Sequence, residues 1–311
     1  METGKPVIVI GGTTASGKSA LALAIAEAFG GTIVNADSMQ VYRQLRVLTA
    51  RPEDVTMARA PHRLFGILDA DDPCSAGRWR AMALTEIETA HRLDRLPVVV
   101  GGTGLYLKAL TEGIEEVPPV SPATRKAVRA RHAEIGGGAF HAELAVHDPR
   151  SATRLRPTDS QRLIRAAEVL EETGRTLGDW QNAAKAGPPP GLRFLMIVLV
   201  PPREVLYPAC DVRFEMMVKA GAIDEVRALL ALGLDLKLPV MKAVGVRELE
   251  AALTGAISLA DAITAGQQAT RRYAKRQYTW FRHQCPGAFS LDEQYSESLV
   301  PQIFNKVRLF C

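Results

Sequence analysis

Gly12-Thr13-Thr14-Ala15-Ser16-Gly17-Lys18-Ser19 sets two glycines, a lysine and a hydroxyl at the spacing GxxxxGK[ST]. The apolar run Val7-Ile8-Val9-Ile10 precedes it and a helical pattern follows. In that context the glycines let main-chain N–H groups turn inward around phosphate oxygens, and the helix N-terminus adds a partial positive charge. Lys18 can neutralise a terminal phosphate, and Ser19 can hold Mg²⁺. The loop predicts phosphate binding. It leaves open whether the ligand is a nucleotide and whether a phosphoryl group moves at all.

Three further residues could share that crevice. Asp37 follows the second apolar run, within Asn35-Ala36-Asp37-Ser38-Met39-Gln40. Ligands of open parallel sheets bind beyond the carboxyl ends of the strands, so Asp37 is a candidate general base or metal ligand. Capping of the turn that follows explains it equally well. Thr103, in Gly101-Gly102-Thr103-Gly104, ends another strand pattern; a tight turn with a capping hydroxyl is the plain alternative. Arg213 could clamp an oxyanion bidentately, but a surface ion pair with Asp211 or Glu215 explains it more simply.

Two stretches suit a polyanion. Arg271, Arg272, Lys275, Arg276 and Arg282 are interleaved with Tyr273, Tyr278, Trp280 and Phe281, and positions 272, 275, 276 and 279 share one helical face. Phosphates take such charge and rings take exposed bases. An amphipathic helix with rings inward and cations outward fits as well. Asp159-Ser160-Gln161-Arg162-Leu163-Ile164-Arg165 is polar and basic, with Asp159 as a candidate cap and Gln161, Arg162 and Arg165 offering donors and planar stacking surfaces; by itself it is an ordinary helix start. The net charge is only +4, but residues 121–165 hold 9 Lys/Arg against 4 Asp/Glu, and residues 266–282 hold 5 Lys/Arg and no acid. That bias suggests a polyanion partner; two solvated helices account for it equally well.

The elements that must position these residues alternate. Pro6–Ile10, Thr32–Asn35, Leu64–Leu68 and Pro97–Val100 read as strands, and Lys18–Phe29 and Ser75–Asp94 as helices, with Ser75 as a cap. Continuous Val/Ile strands alternating with helices mean a parallel α/β sheet covered on both faces. Residues 115–190 lack a strong strand run and read as a helical insert, with helices over Ser121–His132 and Asp159–Thr173 and a hinge over Ala186–Gly191. Phe194–Val200 resumes the sheet, and the remainder reads as helical: Glu204–Lys219, Ile223–Leu232 and Ser258–Arg282. The expected organisation is a core of 1–114 and 191–311 around the insert at 115–190.

Composition is consistent with this. Hydrophobic residues make up 47% and charged residues 23%, a globular balance. No apolar run reaches the ~18–20 residues of a membrane span, and Val7–Ile10 is too short for a signal segment. Cys74, Cys210, Cys285 and Cys311 form no CxxC pair, which argues against a zinc site and for a reducing compartment.

Taken together, GTTASGKS, NADSMQVYR, GGTGLYLKAL, DSQRLIRAAEV, the RF of DVRFEMM, KAVGVRE and TRRYAKRQYTWFR resemble the tRNA dimethylallyltransferase (tRNA isopentenyltransferase) family in order and spacing. The resemblance spans most of residues 7–282 and is weakest at 133–147, 175–192 and the last thirty residues. It implies a P-loop NTPase-like parallel sheet flanked by helices, with an inserted all-helical domain. It implies transfer of a dimethylallyl group from dimethylallyl diphosphate to N6 of adenosine 37 of tRNA, with diphosphate as leaving group and no phosphoryl transfer. By position, Gly12–Ser19 (Gly12, Thr13, Thr14, Ala15, Ser16, Gly17, Lys18, Ser19) would hold the diphosphate, with Mg²⁺ on Ser19 and Arg213 joining the clamp. Asp37 would be the general base, and Thr103 would help position the reacting groups. Asp37, Ser38, Met39, Gln40 and Thr103 would meet the target nucleotide; Gln161, Arg162, Leu163, Ile164 and Arg165 its anticodon neighbours; and Arg125, Lys242, Arg247, Lys275, Arg276 and Arg282 the tRNA backbone or loop. The partners implied are the tRNA anticodon stem-loop and dimethylallyl diphosphate, in the cytoplasm, with no membrane and no obligate protein partner. Thr13 stands where the family usually has proline, Thr158 where it has asparagine, and Val246 where it has a tyrosine that could stack on a base or sugar. A prenyltransferase acting on free AMP or ATP, a P-loop kinase and a non-catalytic nucleic-acid-binding NTPase are the competing readings.

Overall fold

The computed structural model describes residues 4–114, 117–182 and 187–311. They divide into two compact units, Met1–Thr111 with Pro189–Cys311, and Glu112–Pro188. Position 115, the expected start of the insert, and Ala186, the expected start of the hinge, lie outside the described residues.

In the larger unit, β1 (Lys5–Gly12), β2 (Thr32–Asn35), β3 (His62–Arg63), β4 (Pro97–Gly101), β5 (Leu192–Leu199) and β6 (Phe289–Leu291) form a six-stranded sheet among the described residues. Its order is β3-β2-β4-β1-β5-β6, and every pairing is parallel. β1 lies at the centre, with Ile8 opposite Val98 on one side and Leu195 on the other. Both faces of that strand are covered, which is why it is apolar throughout rather than alternating. Val7 and Val9 pack on one side with Trp79, Leu107, Phe214 and Phe281; Ile8 and Ile10 pack on the other with Leu21, Ile25, Ile303 and Val307.

The helices that make the first layer are α3 (Ala76–Arg92), α4 (Gly104–Thr111), α9 (Arg203–Met217), α10 (Ile223–Ala231), α11 (Val246–Leu253) and α12 (Leu259–Gln284). The second layer is α1 (Lys18–Ala28) and α13 (Val300–Phe310). A short helix, α2 (Asp54–Arg59), leads into β3. Ser75 caps α3 by accepting the N–H of Arg78, and Ser258 caps α12 by accepting that of Asp261 at 3.1 Å.

In the larger unit the secondary structure departs from the sequence reading in three places. Leu64–Leu68 is not a strand: the third strand is His62–Arg63, and Leu64 takes a left-handed φ of 64°. Leu64 and Leu68 are apolar because they cover the core from a loop, with only a single bridge from Leu68 to Tyr42. The tail after β5 is not wholly helical, since β6 adds an edge strand beside Ile197–Leu199. The long helix runs on past Arg282 to Gln284.

The smaller unit holds α5 (Pro122–His147), α6 (Pro149–Arg154), α7 (Ser160–Thr173) and α8 (Leu177–Asn182), with no strand among its described residues. α5 runs well beyond His132, broken at Gly136 (φ 75°, ψ 163°). Val128, Phe140 and Leu144 of α5 pack against Leu163 and Ala166 of α7. Asp159 makes no side-chain cap to α7; its carboxylate instead pairs with Arg162 at 2.5 Å.

Candidate active site

β1 delivers the chain into the loop 12–17, and α1 begins at Lys18. Gly17 turns with φ 85°, and a Cβ there would stand 2.7 Å from Cβ of Tyr295, so only glycine fits. Lys18 Nζ folds back to donate to the carbonyl of Thr13 at 3.1 Å. The underside of the loop is tied down by late sequence: the N–H of Tyr295 donates to the carbonyl of Ser16 at 3.0 Å, and Gln294 Nε2 to that of Ala15 at 2.8 Å. Thr13 is fully buried, and its N–H donates to the carbonyl of Leu199 at 3.3 Å. A proline could not make that bond, so the threonine at this position anchors the loop by a different route. The buried hydroxyls of Thr13 and Ser16 have no hydrogen-bond partner among the described residues.

Asp37 follows β2. Its N–H donates to Asn35 Oδ1 at 2.9 Å, and its own Oδ1 accepts the N–H of Met39 at 2.9 Å. One carboxylate oxygen therefore serves the turn. The residue still lines a cavity of 190 Å³ together with Thr14, Lys18, Ser19, Arg213 and Tyr273. Ser38, Met39 and Gln40 line it too, as do Lys242 and Arg276. Capping and cavity lining thus coexist at Asp37. A second cavity, of 300 Å³, opens among Leu23, Ile33, Pro52, His62 and Phe65, and Lys18, Ser19, Asp37 and Gln40 line both.

Thr103 is absent from both linings and acts on the loop that carries Asp37. Its Oγ1 accepts the N–H of Ser38 at 2.9 Å and donates to Ser38 Oγ at 3.2 Å. The far wall is held by Glu225, whose carboxylate accepts the N–H groups of Arg46, Val47 (2.9 Å) and Leu48 (2.8 Å), fixing the segment that brings Leu48 and Thr49 to the cavity.

Charge in the cavity is concentrated and partly desolvated. Burial, then the neighbouring Arg213, lowers Lys18 from 10.5 to about 8, while Asp37 opposes the fall. Burial also lowers Arg213, against the pull of Asp37 and Cys210. Burial raises the Tyr273 hydroxyl well above its usual range, and Asp37 adds to the rise. Asp211 pairs instead with Arg271 at 2.5 Å, and Glu215 accepts from Gln267 at 2.8 Å, so neither acid is the partner of Arg213 among the described residues. The surface-pair alternative gives way to an arginine facing the loop lysine and Asp37.

The cationic helix α12 carries its rings inward and its cations outward. Phe281, Trp280 and Gln277 reach Gly11, Gly104 and Gly102, where an added Cβ would lie 2.5, 2.3 and 2.1 Å from them. Arg272, Lys275, Arg276 and Thr279 line an outer groove with Trp280 and His283. Arg276 borders both this groove and the inner cavity. Arg282 is exposed and donates to the Tyr278 hydroxyl at 2.8 Å, outside both linings. Arg247 is exposed but lines neither. Val246 is fully buried, so a side chain at that position faces the core, not a base or sugar.

In the smaller unit Arg125, Gln161 and Arg162 are exposed, Ile164 and Arg165 are half-buried, and Arg165 lies 3.8 Å from the buried Glu168. Leu163 is fully buried in that unit's core, which removes it from the expected nucleotide contacts. Truncating such a side chain costs about 2–5 kcal/mol, so packing alone accounts for a leucine there.

Residues 40–284 match the model of the IPP transferase family, and residues 5–70 that of isopentenyl transferases. The chain belongs to the IPP transferase family. This transferase is 57% identical to a tRNA dimethylallyltransferase of Rhodospirillum centenum, over 94% of this chain and 93% of that one. It is 52% identical to one of Rhodospirillum rubrum, over 96% and 90%. Among solved structures it resembles the full-length tRNA isopentenylpyrophosphate transferase of Bacillus halodurans, with a TM-score of 0.70 and 30% identity over 97% of this chain and 95% of that one. A eukaryotic dimethylallyltransferase acting on tRNA matches with a TM-score of 0.76 and 28% identity, over 89% of this chain and 70% of that one.

The site also holds Phe214, Met217, Leu48 and Thr49, to which the sequence reading gave no role, with Gln277 and with Tyr273, one of the rings read there on the cationic helix. Gln277 lies inside the TRRYAKRQYTWFR segment, but its role rests on partners 175 and 263 residues away, which no local pattern encodes.

Proposed function

We propose that the protein transfers the dimethylallyl group of dimethylallyl diphosphate to N6 of adenosine 37 in tRNA, giving N6-dimethylallyladenosine and diphosphate. The observation that carries the reading is that Lys18, Ser19 and Asp37 line both cavities. A donor and an acceptor can therefore meet where an anion grip and a carboxylate stand together. The family's relatives, named tRNA dimethylallyltransferases, supply the substrate class.

In this account the loop 12–19, Lys18 and Arg213 hold the diphosphate, and their positive charge counters the negative charge that grows on the leaving oxygen as the allylic C–O bond breaks. The amine N6 attacks the allylic carbon, and Asp37 accepts the N6 proton. The carboxylate oxygen not bonded to Met39 is the one free for that role. Thr103 acts indirectly by fixing Ser38, the neighbour of the base. The adenine must leave its stack to enter the cavity, so a flipping step is implied. Arg276, Lys275 and Arg272 on α12, and Arg125, Gln161, Arg162 and Arg165 on the smaller unit, supply surface for tRNA phosphates and bases.

Mg²⁺ fits the hydroxyl oxygen of Ser19, a hard donor that lines the cavity beside Lys18. Bound there, the ion would neutralise diphosphate charge. No group of three or more His, Cys, Asp or Glu that could hold a metal occurs among the described residues, so diphosphate oxygens and water must complete its shell.

The test is incubation of purified protein, unmodified tRNA and dimethylallyl diphosphate, followed by nucleoside analysis. N6-dimethylallyladenosine is expected from tRNA with adenosine at position 37 and none from tRNA with guanosine there. Modification independent of that position, or ATP consumption in place of donor transfer, would overturn the reading.

A further inference from the structure

Three features of the larger unit stand beside the catalytic groups: the basic groove on α12, the second cavity, and the carboxamide of Gln277. The groove and the cavity belong to the binding of the substrates already proposed. Gln277 does something the proposed chemistry does not include.

Its side chain is 5% exposed and both ends of the amide are used. Oε1 accepts the N–H of Thr14 at 2.8 Å, and Nε2 donates to the carbonyl of Gly102 at 2.9 Å. Thr14 belongs to the phosphate loop. Gly102 immediately precedes Thr103, whose hydroxyl fixes Ser38 beside Asp37. One carboxamide therefore spans the loop that grips the leaving group and the turn that places the base. Gly102 accommodates the approach, since a Cβ there would stand 2.1 Å from Nε2. The helix that carries Gln277 also carries the exposed cations of the outer groove, so the tie and the proposed tRNA surface are parts of one rigid element.

We propose that Gln277 is a positioning residue for the transfer: its carboxamide holds the diphosphate loop and the Gly102–Thr103 turn at a fixed separation, so that leaving group, allylic carbon and base line up. This rests on the function proposed above. A tie of this kind acts on alignment. A misplacement of about 1 Å at a reacting centre can cost ~10²-fold in rate with little change in outer contacts. It must be neutral amide chemistry, with one acceptor and one donor on the same group, which glutamine supplies and neither glutamate nor leucine does.

The test compares wild type, Gln277→Leu, Gln277→Glu and Gln277→Ala. Four quantities are read: kcat for transfer to tRNA, the Kd of inorganic pyrophosphate, the Kd of tRNA, and the thermal midpoint. For Gln277→Leu, kcat should fall by about 10–100-fold, pyrophosphate should bind more weakly, and tRNA affinity should stay within about threefold. Gln277→Glu keeps the acceptor for Thr14 but loses the donor for Gly102, and should not rescue kcat. A role confined to stability would lower the midpoint and the active fraction while leaving both Kd values of the folded protein unchanged, and that result overturns the proposal. Loss confined to tRNA affinity overturns it too, by making Gln277 a tRNA contact. A coupling experiment gives an independent readout. Gly102→Ala in wild type should displace Gln277 and lower kcat, whereas Gly102→Ala added to Gln277→Ala should cost little more, because the group it displaces is gone. Full additivity contradicts the tie. If wild type transfers nothing to tRNA, the proposed function fails while the pyrophosphate binding of the variants still reports on the tie.

Discussion

The hydroxyl of Thr103 accepts the main-chain N–H of Ser38 at 2.9 Å, so a residue from the end of one strand sets the conformation of the residue next to the candidate base on another. A hydrogen bond of this kind is worth about 0.5–1.5 kcal/mol, or three- to tenfold in a rate it controls. Thr103→Val should therefore lower kcat by about three- to tenfold with donor affinity kept, and Thr103→Ser should restore it. Steady-state kinetics with both substrates varied decides this, and an unchanged kcat for the valine variant would count against the role.

In the proposed transfer, Asp37 is the group the chemistry depends on most. Asp37→Ala should cut turnover by ~10²–10⁴-fold, the scale of general-base catalysis, while tRNA binding stays close to wild type. Asp37→Asn retains the acceptor for the Met39 N–H and so separates turn geometry from proton transfer. If the asparagine variant turns over normally, Asp37 is a capping residue and the base lies elsewhere.

Lys18 carries a pH dependence with a definite sign. Its value in the fold is about 8, against 10.5 for an ordinary lysine. Between those two pH values the unfolded chain binds more protons, so stability rises with pH across that window, and the penalty of the buried ammonium is present in full below it. Diphosphate acts the other way, because it favours the ammonium. Pyrophosphate binding should draw a proton above about pH 8 and weaken as pH rises further. Calorimetry in buffers of different ionisation enthalpy measures the uptake, after subtraction of the ligand's own protonation. Lys18→Met should abolish it, and identical uptake in the variant would remove Lys18 from the site.

Mg²⁺ should bind only together with diphosphate. Titration of the protein with Mg²⁺ alone should give no saturable signal, and addition of inorganic pyrophosphate should create one. Ser19→Ala should weaken the ternary binding. Tight Mg²⁺ binding without pyrophosphate would mean a metal site other than the one at Ser19.

Arg276 borders both the inner cavity and the outer groove. If it neutralises a tRNA phosphate, Arg276→Ala should weaken tRNA binding and lower the salt slope by about one unit. An effect confined to donor binding would place it at the diphosphate instead.

Much of this arrangement is legible in the residues themselves. β1 and β4 carry continuous apolar runs because both sheet faces are covered, and Ser75 and Ser258 mark their helices by capping. The loop 12–19 carries its own signature in GxxxxGK[ST]. What is hidden follows from distance or size. β3 and β6 are two and three residues long at the sheet edges, too short to show a period. The apolar residues of 64–68 cover the core from a loop, and a run of that composition cannot be told from a strand by its sequence. Leu163 and Val246 lie inside motifs read as contacts, yet their side chains pack cores. Gln277, Tyr295 and Glu225 act on backbone groups far away in the chain, and nothing local to them announces it.

The measurement that goes most directly to the central claim offers labelled dimethylallyl diphosphate and Mg²⁺ to the purified protein, with unmodified tRNA bearing adenosine 37 in one reaction and AMP in another. Label in tRNA alone is the expected result. Label in AMP alone would leave the loop and Asp37 in place but would contradict the acceptor proposed here and return both basic segments to ordinary solvated surface.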